Sequence, residues 1–327
     1  MIVIVGAGPS GLKLSRELGA RKVEHVVLES AAAAGSSFAR MPQSLRLQSS
    51  WYMSCLDAED RGRFPREAYI SAREMADYLA DYALRHRLPV HYGTEVQQLR
   101  STEQGVLLQT TGGEFVASKV VWATGYWSAP YFSLSAEERR RATVPIYHYA
   151  DDPASLHDFS DKRVLVVGSR LSAGQVLLDI HRKSQGRAEL WLSHRSPIKF
   201  MPLWVRRIPS PLLLALEDLL AAIFPRTPYP VPMEDTLRPF FREGTIRRCG
   251  VIQHLAGRTV LFDGGQSMEF DALIFATGFR YRKPPGIGDS EAVILFGVDG
   301  RKNFRSRFLR GIRGEACELA RQLAQTQ

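Results

Sequence analysis

Two glycine-bearing turns are where this sequence has the residue types and spacing for chemistry. The first is Gly6-Ala7-Gly8-Pro9-Ser10-Gly11, which follows the β-branched run Ile2-Val3-Ile4-Val5. A helical pattern comes next, with Leu12, Leu14 and Leu18 on one side and Gly19 as its stop. A second apolar run, Val26-Val27-Leu28, ends at Glu29-Ser30. In such a unit Gly6 permits a tight turn, Gly8 lets a pyrophosphate approach the backbone, and Gly11 lets the helix pack on the strand. The helix start, with Pro9 and Ser10, offers unpaired N–H groups and a positive dipole end to phosphates. Glu29 is placed to accept hydrogen bonds from a ribose diol. These residues together make a dinucleotide site.

The second turn is Gly168-Ser169-Arg170-Leu171-Ser172-Ala173, entered from Val164-Leu165-Val166-Val167. Val176, Leu177, Leu178 and Ile180 continue it as a helix, and a strand from Glu189 to Leu192 ends in Ser193-His194-Arg195-Ser196. The first glycine and a small final residue, Ala173, are kept, while Arg170 takes the middle glycine's place. Where the first unit ends in an acid, this one ends in His194 and Arg195. An arginine there favours a 2′-phosphate, which points to NADPH. The string Arg170-Leu171-Ser172-Ala173-Gly174 also has a nucleophile-elbow look, but it lacks the leading glycine and follows a dinucleotide turn, so a hydrolase is set aside.

The elements that must hold these turns are legible around them. Ser71-Ala72-Arg73-Glu74 is a capping box opening a helix that runs to about His86, before Pro89. Short alternating strands follow near Glu95–Leu99, Val106–Thr110 and Glu114–Ser118, and they lead into Ala123-Thr124-Gly125. The second half repeats the grammar, with strands near Thr259–Phe262 and Ser267–Phe270 before Ala276-Thr277-Gly278. Each nucleotide turn is thus followed by a meander and an A-T-G.

With these motifs, the chain resembles the two-dinucleotide-binding-domain flavoproteins. Within the pyridine nucleotide-disulfide oxidoreductase superfamily it is similar to the flavin-containing monooxygenase-like branch, over nearly its whole length. The resemblance implies an α/β fold of two Rossmann-like FAD/NAD(P)-binding domains, the second inserted in the first, each with a β-meander. It places an FAD domain at 1–145 plus 279–327 and an NADPH domain at 146–278. The first motif would hold FAD and the second NADPH. The family's G-G-x-W-like stretch corresponds to Gly35-Ser36-Ser37-Phe38, and its flavin-side segment to Leu45-Arg46-Leu47-Gln48-Ser49-Ser50-Trp51. Arg46, Gln48 and Val96 join the implied FAD contacts, and both A-T-G strings fall at the family's crossings between domains. The implied reaction is NADPH-dependent reduction of FAD, then oxygenation of a small nitrogen or sulfur nucleophile, or a carbonyl, through a C4a-(hydro)peroxyflavin. Gln48, Ser49 and Ser50 are the implied polar groups beside the flavin, and His148 a contact for the nicotinamide or an organiser of the linker. His148 is also what remains of the family's F-x-G-x-x-x-H-x-x-x-W fingerprint; Ala142, Val144 and Asp152 stand at its other positions. Two alternatives stay open: an NADPH-driven reductase of a disulfide, quinone or protein acceptor, and an FAD-binding protein that no longer takes NADPH.

Composition bounds the rest. The 327 residues allow about two domains, and 45% hydrophobic with 24% charged residues is ordinary for a globular chain. Cys55, Cys249 and Cys317 are far apart with no C-x-x-C, which argues against a dithiol centre and a zinc ribbon. The eight histidines lack metal-ligand spacing, so no metal is expected. The balance 43 − 34 = +9 suits anionic ligands, a nucleic acid or an acidic membrane; no nucleic-acid module is recognisable, and the two phosphate sites account for part of it. The remainder, near Arg280, Arg282 and Lys283 and from Arg301 to Arg313, reads mainly as solvated surface, with a contact for an acidic substrate or partner as the second reading.

The opening residues have no signal-peptide makeup, so a cytoplasmic enzyme acting on a small molecule with O₂ is expected. The apolar run from Pro211 to Pro225 is too short for a membrane span and carries Glu217 and Asp218. The surrounding stretch, Pro202 to Pro232, holds seven of the 18 prolines. It reads as an insertion packed on the second domain, or as a lid or oligomer contact built from Trp204, Leu212 to Leu214 and Phe224; a homodimer is compatible with it.

Overall fold

The computed structural model describes residues 1–223, 231–288 and 290–326. Phe224, named above, lies outside the described residues. The parallel strands run in chain order as β1 (Ile2–Val5), β2 (His25–Leu28), β3 (Val90–His91), β4 (Lys119–Trp122), β5 (Ile146–His148), β6 (Arg163–Val167), β7 (Glu189–Ser193), β8 (Ile246–Cys249), β9 (Ala272–Phe275) and β10 (Val293–Leu295). The main helices are α1 (Pro9–Ala20), α2 (Ala72–Arg85), α3 (Leu171–Lys183), α4 (Ser210–Ile223) and α5 (Leu309–Gln325).

One parallel sheet has the order β10-β4-β1-β2-β3 and the other β8-β7-β6-β9-β5. All strands of the second sheet lie in sequence between β4 and β10 of the first, so the second unit is inserted in the first. Burial on both faces explains why β1, β9 and, after Arg163, β6 are unbroken apolar runs.

Side-chain alternation sorts these runs into three layers in each half. Ile2, Ile4, Val27 and Val121 face the helices, packing with Leu12, Leu14, Leu18, Tyr78 and Ile312. Val3, Val5, Val120 and Trp122 face the antiparallel meander Val96–Thr102, Gly105–Thr110, Gly113–Ala117, through Leu99, Val106 and Leu108. In the second half Val164, Val166, Leu190 and Ile274 pack on Val176, Leu177 and Ile180 of α3. Leu165, Val167, Leu273 and Phe275 pack on Leu255, Val260 and Phe262 of a second meander, Ile252–Ala256, Thr259–Phe262, Ser267–Glu269.

The capping box of α2 closes both ways: Glu74 N donates to Ser71 Oγ at 3.1 Å and Ser71 N to Glu74 Oε2 at 2.7 Å. The helix α1 runs on through Gly19 to Ala20.

Buried ionic contacts fix α1 and α2 to the chain between them. Lys13 Nζ lies 2.7 Å from Asp57 Oδ1 and 2.6 Å from Glu17 Oε1, and Arg16 and the Tyr82 hydroxyl also reach Asp57. Burial works against the charged form of Asp57, but the bonds from Lys13 and Tyr82 outweigh it and hold its carboxyl below the usual range. The neighbouring hydroxyl of Tyr78 donates to Asp60 at 2.7 Å, and the Trp51 indole, fully buried against Tyr78, donates to the Asp60 carbonyl. Glu59 and His86 come near Asp57, but Arg16 already occupies Asp57 and Glu59.

The C-terminal arginines correct the expectation of solvated surface. Arg305 bonds Asp218, and Arg310, with 8% of its side chain exposed, bonds Glu217. Arg310 also donates to Ser49 Oγ at 3.2 Å, Arg301 pairs with Glu315 at 3.1 Å, and burial lowers the pKa of Arg313. Helix α5 starts inside this cluster; Arg280, Arg282 and Lys283 are exposed as expected.

Asp57→Ala leaves the Lys13 ammonium, 5% exposed, with Glu17 alone, and takes their shared carboxylate from Arg16 and Tyr82. Thermal unfolding should show a loss of about 3 kcal/mol, the cost of breaking a buried pair on one side. An unchanged Tm would show that the network contributes nothing to stability.

Candidate functional site

The carboxyl ends of both parallel sheets open on one cavity of about 1760 Å³. This is the crevice at which open α/β sheets present their loops. From the first sheet, Gly6, Gly8, Pro9 and Ser10 follow β1, Glu29 and Ser30 follow β2, and Ala123, Thr124 and Gly125 follow β4. From the second, Gly168, Ser169, Arg170 and Ser172 follow β6, Arg195 follows β7, and Ala276, Thr277 and Gly278 follow β9. Gly35, Ser36, Ser37, Phe38 and Val96 complete the wall from flanking segments.

The glycines behave as their spacing requires. Gly6 has φ +105°, and a Cβ on it would lie 2.8 Å from the Ala123 carbonyl oxygen. A Cβ on Gly11 would lie 1.9 Å from the Gly6 carbonyl oxygen, so Gly11 sits beneath the wall as the helix–strand contact. Gly8 has open space where a side chain would be. In the second unit Gly168 has φ +150°, and Ala173 packs under it. Arg170 has φ −120°, extended backbone that any residue adopts, and its exposed side chain stands at the cavity.

The two helices that follow the glycine turns start at the cavity without a side-chain cap: Gly8 precedes α1 and Arg170 precedes α3. By contrast, α2 and the short helix Ala136–Arg141 each carry a full capping box. Uncapped N–H groups at an open cavity are what a phosphate satisfies. Glu29 is buried and takes Ala7 N at 2.7 Å and Ala31 N at 2.9 Å, which locks the glycine turn to the β2 loop. The buried Oγ1 of Thr124 has no hydrogen-bond partner among the described residues. Among the described residues the wall carries Arg40, Arg170, Arg195, Arg282, Lys283 and Arg307 against two acids, Glu29 and Glu95, so its field suits polyanions. These observations fit phosphate-bearing dinucleotides.

Other expected site residues lie off the wall. Gln48 Nε2 donates to Glu234 at 3.2 Å, Ser49 accepts from Arg310, and buried Ser50 shares a 2.5 Å hydrogen bond with Ser210. Their segment is tied down by Leu47 N to the Ile70 carbonyl and Trp51 N to the Ala68 carbonyl, with Ser49 and Ser50 toward α5 and α4 and Gln48 toward Glu234. Arg46 donates to the Tyr69 carbonyl. His148 is buried at the end of β5, behind the wall. Its Nε2 donates to the Gly278 carbonyl at 3.0 Å and its Nδ1 accepts from Ala150 N at 3.1 Å. It therefore holds the second A-T-G crossing in place, and Phe132 and Phe279 pack on its ring.

Several wall residues had no signal in the motif reading. Trp127 and Phe279 stack at 4.5 Å, each two or fewer residues past an A-T-G. Gly297, directly after β10 and its following Phe296, packs so closely that a Cβ would lie 2.2 Å from Ser10 Oγ. Its place just past a short apolar run is the signal that could have found it. Phe308, Leu309 and Ile312 add the start of α5.

Burial holds the His148 imidazole below the ordinary histidine range, against the raising effects of the Gly278 carbonyl and Asp151. A depressed folded-state pKa makes this stabilisation complete above the unfolded value of about 6.5 and lost as pH falls through the lower folded value. His148→Gln should therefore flatten the decline of Tm between pH 7 and 5 relative to the unmodified chain. Parallel curves would remove His148 as a contributor.

Comparison with known proteins agrees with this architecture. Residues 3–201 match the family model described as pyridine nucleotide-disulphide oxidoreductase. A probable indole-3-pyruvate monooxygenase, YUCCA1 of Arabidopsis thaliana, is 27% identical over 86% of this chain and 76% of its own. A flavin-containing monooxygenase from Stenotrophomonas maltophilia shares the fold at TM-score 0.78 and 20% identity, covering 99% of this chain and 98% of that one. Bacillithiol disulfide reductase Bdr (YpdA) from Bacillus cereus shares it at TM-score 0.73 and 18% identity, covering 100% and 99%. The matched motifs, the two parallel sheets and their common cavity together show that the chain belongs to the pyridine nucleotide-disulphide oxidoreductase family, whose members bind FAD and NAD(P)H.

Proposed function

We propose that the protein is an NADPH-dependent FAD monooxygenase acting on a small nitrogen or sulfur nucleophile or a carbonyl compound. The observation that carries this reading is the single cavity shared by both uncapped helix starts, with none of the three cysteines on its wall. The similarity to a plant enzyme named as an indole-3-pyruvate monooxygenase supports oxygenation. Residues 1–145 with 279–327 would form the FAD unit and residues 146–278 the NADPH unit.

In this reading FAD, when bound, relays electrons from NADPH to O₂ and so supplies the oxidising chemistry. The chain supplies binding and enclosure. The N–H groups at the start of α1 would hold the FAD pyrophosphate over Gly8, and Glu29 the adenosine ribose. The start of α3 would hold the NADPH pyrophosphate, with Arg170 adding positive charge rather than blocking the site. Arg195, which makes no ion pair among the described residues, would take the 2′-phosphate. Thr124 has a free hydroxyl for a ligand at the first crossing. Trp127 and Phe279 offer an apolar shelf that keeps water from the reacting groups. His148 acts as a positioning residue for Gly278, and Gln48, Ser49 and Ser50 support the wall from behind.

The reductase reading draws on the fold shared with a disulfide reductase, and it differs in oxygen dependence. Substrate-dependent NADPH oxidation should consume O₂ and yield one oxygenated product per NADPH. Fast anaerobic turnover with a disulfide or quinone would replace the monooxygenase by the reductase, and failure of NADPH to bleach the flavin would leave a binding protein. Arg195→Ala should raise KM for NADPH at least tenfold, about 1.4 kcal/mol, and leave KM for NADH nearly unchanged. Equal effects on both would remove Arg195 from the 2′-phosphate site.

A further inference from the structure

Helix α4 pairs its two acids with C-terminal arginines, Glu217 half-buried and Asp218 60% exposed, and presents its leucines on another, outward face. Glu217 and Asp218 are bonded to Arg310 and Arg305, and Ser210 at its start bonds Glu67 and Ser50. The outer face carries Leu212, Leu216, Leu219, Leu220 and Ile223, and Trp204 lies just before the helix; these six are 37–63% exposed. Leu213 and Leu214 are half-buried, so the face differs from the one read off the sequence.

The spacing of the exposed residues is specific. Leu212, Leu216, Leu219 and Ile223 follow a 4-3-4 pattern, the seam of a helix that packs on another helix. Exposed alanines, Ala215 and Ala222, flank the seam on one side and let a second backbone come close. At about 190 Å² per large apolar side chain, the six exposures amount to roughly 600 Å². That is at the top of the range for a monomer's largest apolar patch, and with its flanks it nears the ~800 Å² per partner of a stable interface.

We infer that α4 is a self-association surface, on which a second copy of this chain packs its own α4 antiparallel across a two-fold axis. The pattern is symmetric about the point between Leu216 and Leu219, so the axis passes there. Leu216 then faces the partner copy's leucine at position 219, and Leu212 faces the isoleucine at position 223. No ionised group stands on the seam, and the repulsion of two +9 chains is screened beyond about 10 Å. The inner face of α4 grips Arg310 in the first turn of α5, where Leu309 and Ile312 line the cavity. Pairing would thus brace one cavity wall in each copy, independently of the reaction performed there.

Sedimentation velocity of the purified protein at micromolar concentration should give twice 36.7 kDa. Leu216→Glu/Leu219→Glu should give 36.7 kDa with unchanged circular dichroism, while Leu84→Glu, a charge at an exposed leucine on α2, should leave the dimer intact. Mild oxidation of Leu216→Cys/Leu219→Cys should trap a covalent dimer, and Leu212→Cys alone should not. A monomeric unmodified chain, a dimer that survives the double glutamate change, or self-crosslinking of Leu212→Cys would overturn the inference. So would a monomer that pellets with anionic phospholipid vesicles only while the leucines are present, since the face would then serve a lipid surface.

Discussion

The structure turns on one close approach, that of Gly11 to the Gly6 carbonyl at the start of α1. A side chain at Gly11 would collide with that oxygen, so only glycine lets the helix begin directly against the end of β1. This contact aims the uncapped first turn of α1 at the cavity. Everything that converges there depends on it: the buried Glu29 carboxylate that grips Ala7, the crossing at Ala123, and Gly297 pressed on Ser10. The second unit solves the same problem less tightly. Ala173 fits beneath Gly168 because the turn leaves room for one methyl group, and Arg170 fits because its backbone is extended. The lost glycines therefore mark a looser turn, and the direction of α3 is preserved.

Much of this was legible because it is enforced by backbone geometry. Gly6, Gly8 and Gly11 announce a turn that few other residues permit, and apolar runs such as Val164 to Val167 announce strands covered on both faces. The capping box at Ser71 and both A-T-G crossings carry their structure within a few residues. What could not be read depends on partners far away in sequence. Gln48, Ser49 and Ser50 look like free polar groups until Glu234, Arg310 and Ser210 are brought to them. The arginines from 301 to 313 look like surface charge until Glu217 and Asp218 arrive from α4. The strand β3, two residues long, and β8 beyond the Pro-rich segment carry too little periodicity to be seen. His148 was visible as a residue of interest, but its work on the Gly278 carbonyl needed the fold to be assigned.

Charge is spent in two places. On the cavity wall, basic residues outnumber acids and create a field for polyanions. Around α1, α2, α4 and α5, Lys13, Arg16, Arg305 and Arg310 are matched by carboxylates and act as internal connectors. The apolar seam of α4 is the other side of that second group, since its acids lie on the face turned toward Arg305 and Arg310.

The position of β10 has a consequence for how the chain is made. Val293 pairs with Val120, 173 residues earlier (293 − 120), so the first sheet is completed only by its last strand. During synthesis the outer edge of β4 is without that neighbour while the whole second unit emerges and folds. An unpaired parallel edge is a template for wrong pairing, and closing so long a loop is slow. The inserted unit begins and ends beside the first sheet, so once formed it holds the two ends of the gap near each other and shortens the search that remains.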